Sequence, residues 1–417
     1  MKLPATLRAL QYRNFQLFFG GQLISLIGTW MQNVAQAWLV YRLTRSSILL
    51  GSVGFTGQIP VFLLAPLGGI VADRYRRHRI VIATQTASML LAFTLAALVL
   101  TGAVRIWHIF ALSALLGVVN SFDIPARQSF LVEMVGRADL MNAIALNSSV
   151  FNASRVVGPA IAGLLVAGIG EGWCFFVNGV SYIAVIIGLL LMDVPPRRHV
   201  AQTGSPLSHM VEGFRFVIRH PPIHAILMLL GVVSITGTPY SVLMPIFADR
   251  ILHGGPKTLG TLMGATGVGA LAGALVMASR KNLKGLGTWV PLSAAAFGAA
   301  LVAFSFSRIY WLSILILAPV GFAMMIEMAS SNTLIQSMVP DRLRGRVMSV
   351  YSMMFMGMAP IGSLLAGAAA DRIGAPWTIT AAGIICICAA AVFWTFLPRI
   401  RVGARQLIAA QQMAGGD

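Results

Sequence analysis

Twelve stretches of this chain are long and apolar enough to cross a lipid bilayer, and no other feature constrains its fold as much. The hydrocarbon core demands about 20 mostly apolar residues from each spanning helix. Runs of that kind fall at 15–41, 47–72, 79–101, 106–125, 142–168, 172–192, 223–248, 258–279, 286–306, 309–331, 346–370 and 376–397. Lipid offers backbone groups no partners, so each run must close its own hydrogen bonds as a helix. Charged residues make up only 10% of the 417, against roughly 25% in soluble domains. Such a surface cannot face water, which excludes a soluble enzyme. The 42 glycines suit helices packed closely in a membrane. The expected fold is an all-α integral membrane protein, twelve transmembrane helices arranged as two pseudo-symmetric six-helix bundles.

The longest gap between runs, 193–222, holds Pro195, Pro196, Arg197, Arg198, Pro221 and Pro222. Within it, Ser208 to Arg219 alternates apolar and polar residues at helical spacing, which predicts a short amphipathic surface helix. The chain therefore divides into a first bundle over 1–194, a linker over 195–222, a second bundle over 223–400 and a tail over 401–417. Thirty Lys and Arg against twelve Asp and Glu give a net charge of +18. No aromatic and basic patch outside the apolar runs points to nucleic acid as a partner. The positive-inside rule accounts for the excess instead. With both termini in the cytoplasm, the inner segments hold 22 basic residues and the outer loops seven. A multi-pass protein of the cytoplasmic (inner) membrane, with both ends inside, is the expectation. Cys174, Cys386 and Cys388 give neither a disulfide framework nor a metal-ligand spacing, so no metal or cofactor is expected. The first run is long and no small-residue cleavage site follows it, so no cleavable signal peptide is read there.

Sliding the chain on itself by 204 residues pairs Gly69 with Gly273, Arg76 with Arg280, Gly117 with Gly321 and Asp123 with Glu327. The same shift pairs Met134–Val135 with Met338–Val339, Gly158 with Gly362, Trp173 with Trp377 and Gly179 with Gly383. Glycine matches alone carry little weight in this composition. A constant offset that also pairs acids, tryptophans and loop arginines marks two parallel repeats, an arrangement that puts a binding site between them near the midplane.

The second run ends in Gly69-Ile-Val-Ala-Asp73-Arg74-Tyr75-Arg76-Arg77-His78-Arg79. This resembles the major facilitator superfamily, whose loop between the second and third helices reads G-x-x-x-D-R-x-G-R-R; Arg76 stands where the family has glycine. Two sets of six spans and a basic central linker extend the resemblance over essentially the whole chain. It implies the major facilitator fold, with a cluster at Asp73, Arg74 and Arg77 that holds the cytoplasmic side closed and breaks during transport. Asp123, near the cytoplasmic end of the fourth run, stands within reach of Arg77. The repeat predicts Glu327 with Arg280 or Lys281 as the second half's version. A static charge cluster anchoring loops among headgroups is the plainer alternative. Asp123 and Glu327 as proton carriers form a third reading, weakened by their place toward the cytoplasmic end.

The fifth run contains Arg155-Val-Val-Gly158-Pro159-Ala-Ile-Ala-Gly163. It resembles the Gly-Pro-x-x-x-Gly element of fifth helices in facilitator antiporters, where small residues allow close contact with the opposite half; Ser154 replaces an expected glycine. Trp30-Met31-Gln32, Trp38-Leu39-Val40-Tyr41, Pro125-Ala126-Arg127 and Asn142-Ala143 resemble the branch of enterobactin exporters and macrolide efflux proteins. Arg155 sits well inside a span, where a guanidinium costs roughly 2.5–3.5 kcal/mol on insertion scales. It must face a cavity or a partner, either an anionic or polar substrate or the carbonyls of a neighbouring helix.

The first run carries Gln22, Ser25, Thr29, Gln32, Asn33 and Gln36 at steps that keep them near one face. Its repeat counterpart reads Ser234-Ile-Thr236-Gly237-Thr238-Pro239-Tyr240-Ser241, where Pro239 beside Gly237 predicts a weakened, bendable helix. These look like gating helices around a polar cavity lined by Arg155, Gln32, Asn33, Gln36, Thr29 and Tyr240; polar packing between helices is the alternative. Gly267-Val-Gly269 imitates a dinucleotide fingerprint but lies inside an apolar span, and no phosphate-binding P-loop is present. The methionines at 353, 354, 356 and 358 read as flexible packing rather than a soft-metal path. The resemblance implies a secondary active exporter, working by alternating access and driven by protons, for a small amphipathic or anionic molecule such as a siderophore or drug. An importer or lipid flippase of the same fold is the alternative, and a non-transporting membrane scaffold or sensor belongs to a different class.

Overall fold

A computed structural model describes residues 5–136, 138–194, 206–280 and 285–414. Among them the chain is helical almost throughout, with no strand. A 3-10 turn, Ala5–Gln11, leads into α1 (Arg13–Thr44), α2 (Ser47–Arg74) and α3 (Arg77–Leu100). Then come α4 (Ile106–Val135), α5 (Leu140–Ile169), α6 (Glu171–Leu190) and the short α7 (Pro206–Arg219). The second series is α8 (Pro221–Ile251), α9 (Pro256–Ala278), α10 (Leu286–Phe306), α11 (Tyr310–Met338), α12 (Asp341–Ile373) and α13 (Ala375–Ala414). Among the described residues eleven of these, α2 to α6 and α8 to α13, are long and apolar enough to cross a membrane. At 32 residues α1 has the length too, but its polar stripe dilutes its apolarity.

Helix boundaries obey the 204-residue offset read from residue identities. Shifted by 204, α4 covers 310–339, and α11 is Tyr310–Met338. The same shift ends α5 at 373, where α12 ends, and starts α6 at 375, where α13 starts. Packing repeats as well: α3 lies on α4 and α6, and α10 lies on α11 and α13. Gly117 and its repeat partner Gly321 show why small residues recur. A side chain at Gly117 would run into the carbonyl of Gly57 on α2, and one at Gly321 into that of Thr266 on α9. Lipid supplies no hydrophobic drive between helices, so such backbone approach is what van der Waals packing needs.

Contacts divide the chain into two compact units: Met1–Leu49, Thr56–Gln202 and Ala248–Gly264 in one, Leu50–Phe55, Thr203–Phe247 and Ala265–Asp417 in the other. At one end of the first, Phe15, Phe18, Val81, Phe130 and Met134 bring three helices, α1, α3 and α4, into one cluster. In the second, Phe247 stacks on Phe304 with centroids 4.6 Å apart.

Three departures from plain α-helix stand out. Val233–Gly237 and Phe247–Ile251 in α8, and Met353–Gly357 in α12, are π turns. The first leads directly into a 3-10 segment, Thr238–Leu243, at the place where Pro239 and Gly237 predicted weakness. Proline has no N–H and its ring crowds the carbonyl four residues back, here that of Ile235. Gly362 of α12 lets that carbonyl lie close, as Gly158 of α5 lets α1 approach at Ile27 and Met31. The predicted surface helix is present as α7, with Gly213 and Val217 buried and Val211 and Ile218 exposed. Glu212 pairs with Arg346 of α12. The first part of the proline-rich linker, 195–205, lies outside the described residues, and α13 stays helical past the predicted end of the last span.

Candidate substrate and charge-relay sites

The polar stripe of α1 splits into two faces. Gln22 and Gln32 point inward: Asn178 of α6 donates to Gln32 Oε1 at 2.6 Å, and Arg127 of α4 donates to Gln22 Oε1 at 2.9 Å. Half-buried Gln36 donates to Ser113 Oγ of α4 at 2.9 Å. These three are polar packing between helices, the alternative reading of the stripe. Thr29 returns its hydroxyl to the Ser25 carbonyl. Asn33 is exposed, and an amide halfway along a spanning helix belongs against water rather than lipid. In the second unit Tyr240 is only 5% exposed, its ring edge-on to Phe297.

Arg155, half-buried midway along α5, lies over the Trp30 ring with its guanidinium carbon 5.7 Å from the centroid. Phe151 meets the same ring edge-on at 5.7 Å. A cation held on an aromatic face gains electrostatic stabilisation from the ring. Three residues further, Gly158 seats α5 on α1. Gly163 and Pro159 seat it on α9, where a methyl at Gly163 would lie 3.2 Å from the Cα of Gly260. The Gly-Pro-x-x-x-Gly element thus joins three helices within the first unit.

The charge cluster differs in its pairing from the sequence expectation. Arg77 bonds Glu133 at 2.9 Å, Asp73 at 3.4 Å and the carbonyls of Ala72 and Ser129. Arg74 and Asp73 are exposed. Asp123 instead pairs with Arg127 one turn on, at 3.2 Å, and accepts from Thr84 at 2.7 Å and Gln85 at 3.0 Å. Through Arg127 and Gln22 this network spans α3, α4 and α1. In the second unit Arg280 lies 4.1 Å above the Trp289 ring, and Glu327 is not brought to it. Glu327 is 1% exposed and accepts from Ser331 at 3.2 Å. Lys281, the other expected partner, lies outside the described residues.

Two clusters were not foreseen. Asp139, buried between α4 and α5, binds Arg8 at 3.0 Å, Gln11 at 3.1 Å and the Tyr12 hydroxyl at 2.7 Å, pinning the N-terminal turn. The hydrogen bond to that carboxylate, with its charge, holds the Tyr12 hydroxyl above its ordinary value. At the other end of α1, Asp249 accepts from Tyr41 at 2.8 Å and pairs with Arg45, while Arg45 and Arg250 flank the Tyr41 ring. Arg45 and Asp249 stand 204 residues apart, at equivalent positions of the repeat.

The profile of a family described as transmembrane secretion effectors, within the major facilitator superfamily, matches residues 5–415. The chain belongs to that family. It is a membrane transporter of the major facilitator fold, with a small-molecule cargo, and not an enzyme. This transporter is 28% identical to the Staphyloferrin A transporter of Staphylococcus aureus over 90% of its own length and 94% of the relative's. It is 29% identical to the multidrug efflux pump Tap of Mycolicibacterium fortuitum, covering 88% and 91%, and 26% identical to the enterobactin exporter EntS of Shigella boydii, covering 85% and 84%. Its fold matches a bacterial homologue of the lysosomal transporter Spinster, with a TM-score of 0.72 at 15% identity over 94% and 97% of the two chains. The nucleoside transporter NupG matches with a TM-score of 0.74 at 13% identity over 92% and 99%.

Proposed function

We propose that this transporter exports a small amphipathic or anionic molecule of the siderophore or drug kind, by alternating access, against inward proton flow. Its relatives with siderophore and drug cargo, similar along nearly their whole length, support the cargo class and the direction. The observation that carries the anionic preference is Arg155 lying over Trp30, midway along a spanning helix. A guanidinium there is costly unless it is used, and a cation backed by an aromatic wall suits an anionic or aromatic cargo. Exposed Asn33 on α1 adds a donor and an acceptor to the same reading. Basic residues, 22 in the inner segments against seven outside, support an inner-membrane topology with both termini in the cytoplasm.

The test is transport by purified protein in liposomes with an imposed pH gradient, offering siderophores, macrolides and dyes while internal pH is read. Proton flux that appears only with a cargo, and is lost in Arg155→Ala, supports the reading. Silence across the panel with folded protein overturns it and directs attention to lipid translocation.

A further inference from the structure

The two buried acids of the repeat sit in unlike surroundings. Asp123 has a fixed counter-charge in Arg127, at i,i+4 along α4, together with hydrogen bonds from Thr84 and Gln85 of α3. Adding 204 to each of these positions gives Glu327, Ser331, Thr288 and Trp289. A hydroxyl replaces the cation, donating at the same i,i+4 step. Thr288 is engaged by Arg401, and Trp289 lies under Arg280. Duplication therefore preserved the acid and removed its supports, and Glu327 forms no ion pair among the described residues.

We infer that Glu327 is the group that takes up and releases the coupling proton, with Asp123 a fixed structural anion. This rests on the proton-driven reading above. The step makes and breaks one O–H bond at the carboxyl, and the proton arrives from water and leaves to water. A buried carboxylate without a counter-charge is strongly disfavoured, so Glu327 keeps its proton while enclosed and gives it up when water reaches it.

The neighbours fit a site that changes its charge alone. From the helices packed on α11, α10 brings no ionisable side chain. The part of α9 that touches it, around Thr266 and Gly269, brings none either. Two neutral groups lie within its electrostatic reach, Tyr351 of α12 and Cys386 of α13. Tyr351 is occupied by the Met328 carbonyl, and Cys386 touches Thr236 of α8. His224 and Tyr240 of α8 complete the ionisable groups on the nearer part of that helix. Of the arginines at the start of α12, Arg344 pairs with Asp341, Arg346 pairs with Glu212, and Arg342 is exposed.

Infrared difference spectra of the purified full chain, recorded across a pH titration in water and heavy water, test the group directly. A protonated-carboxyl band absent from Glu327→Gln is expected, and it should shift in frequency in Ser331→Ala, which removes the Ser331 hydrogen bond to that carboxyl. The second variant keeps the test open if Glu327→Gln does not fold. A second arm loads liposomes with ethidium. Glu327→Gln should exchange ethidium without a gradient as the wild type does, yet lose pH-driven accumulation, and Glu327→Asp should regain it. A wild type that fails to accumulate ethidium at all counts against the drug-export reading, while the infrared band still decides Glu327. An unchanged carboxyl band in both variants, or pH-driven accumulation in Glu327→Gln, overturns the assignment.

Discussion

Replacing Gly260 by alanine tests whether α5 and α9 meet backbone to backbone. A methyl at 260 would be aimed at the Pro159 carbonyl and would lie 2.8 Å from the Gly163 Cα, where ordinary contact begins at 3.4 Å. The two helices must therefore part by at least about 0.6 Å to relieve the Gly163 contact, and further to clear the Pro159 carbonyl. Overpacking of that kind costs about 1–3 kcal/mol. Gly264, one turn along the same face, is the internal control, because its methyl would stop 3.7 Å from the Val156 carbonyl. Gly-to-Ala in a helix interior is itself favourable by about 1 kcal/mol, a gain common to both variants. Gly264→Ala should thus match or slightly exceed the wild type, and Gly260→Ala should fall below Gly264→Ala by about 1–3 kcal/mol. Thermal unfolding of the purified proteins in one detergent gives the ranking as an order of midpoints. Equal midpoints for the two variants would refute the close-contact argument.

Asp123→Asn turns an amide toward Arg127 and leaves that cation uncompensated, which should cost about 3 kcal/mol; adding Arg127→Gln should restore part of the loss in a double-mutant cycle of midpoints. Arg155→Ala should leave the midpoint near that of the wild type while abolishing cargo-dependent proton flux, and Arg155→Lys should not rescue it, since an ammonium lacks the planar face that lies on Trp30. The raised Tyr12 value has a definite sign. The hydrogen bond to Asp139 is fully present below the ordinary tyrosine value of about 10 and is lost as pH climbs through the higher folded-state value. Alkaline absorbance titration should therefore lose a late-titrating tyrosinate in Tyr12→Phe, and that tyrosinate should titrate earlier in Asp139→Asn. Asp249→Asn should free Arg45 and weaken the Tyr41 contact, seen as faster proteolysis between α1 and α2 with little change in the midpoint, as suits a half-exposed pair.

Periodicity and repeat were legible because they are local and additive. A run of apolar residues states its own helix, and the 204-residue offset reproduced the bounds of α4 and α11 to within a residue. The Gly158 and Gly163 crossings were legible as small residues in a span, though not their particular partners. Pairing was harder. The Asp123–Arg127 bond was readable from its four-residue spacing, which a search for an inter-loop partner at Arg77 passed over. Glu133, the actual partner of Arg77, lies ten residues beyond Asp123 on α4, and only the rotation of that helix selects it. Asp139 and Asp249 depend on chain ends meeting from 127 and 208 residues away, a distance at which no local pattern speaks. The α1 stripe misled in one respect: equal polarity along a face does not say which side meets water and which meets Asn178.

The π turns have a mechanical consequence. Neither α1 nor α5 carries a widened turn, and α5 lacks only the hydrogen bond that the Pro159 nitrogen cannot donate, so each stays the stiffer rod along its length. Their duplicates α8 and α12 carry widened turns at Val233–Gly237 and Met353–Gly357, where the ladder changes register and bending meets less resistance. Two copies of one ancestral sequence have thus acquired unequal compliance. Under load the first set of helices should tilt whole, while the second flexes at these joints, so strain set up by a bound cargo collects in α8 and α12.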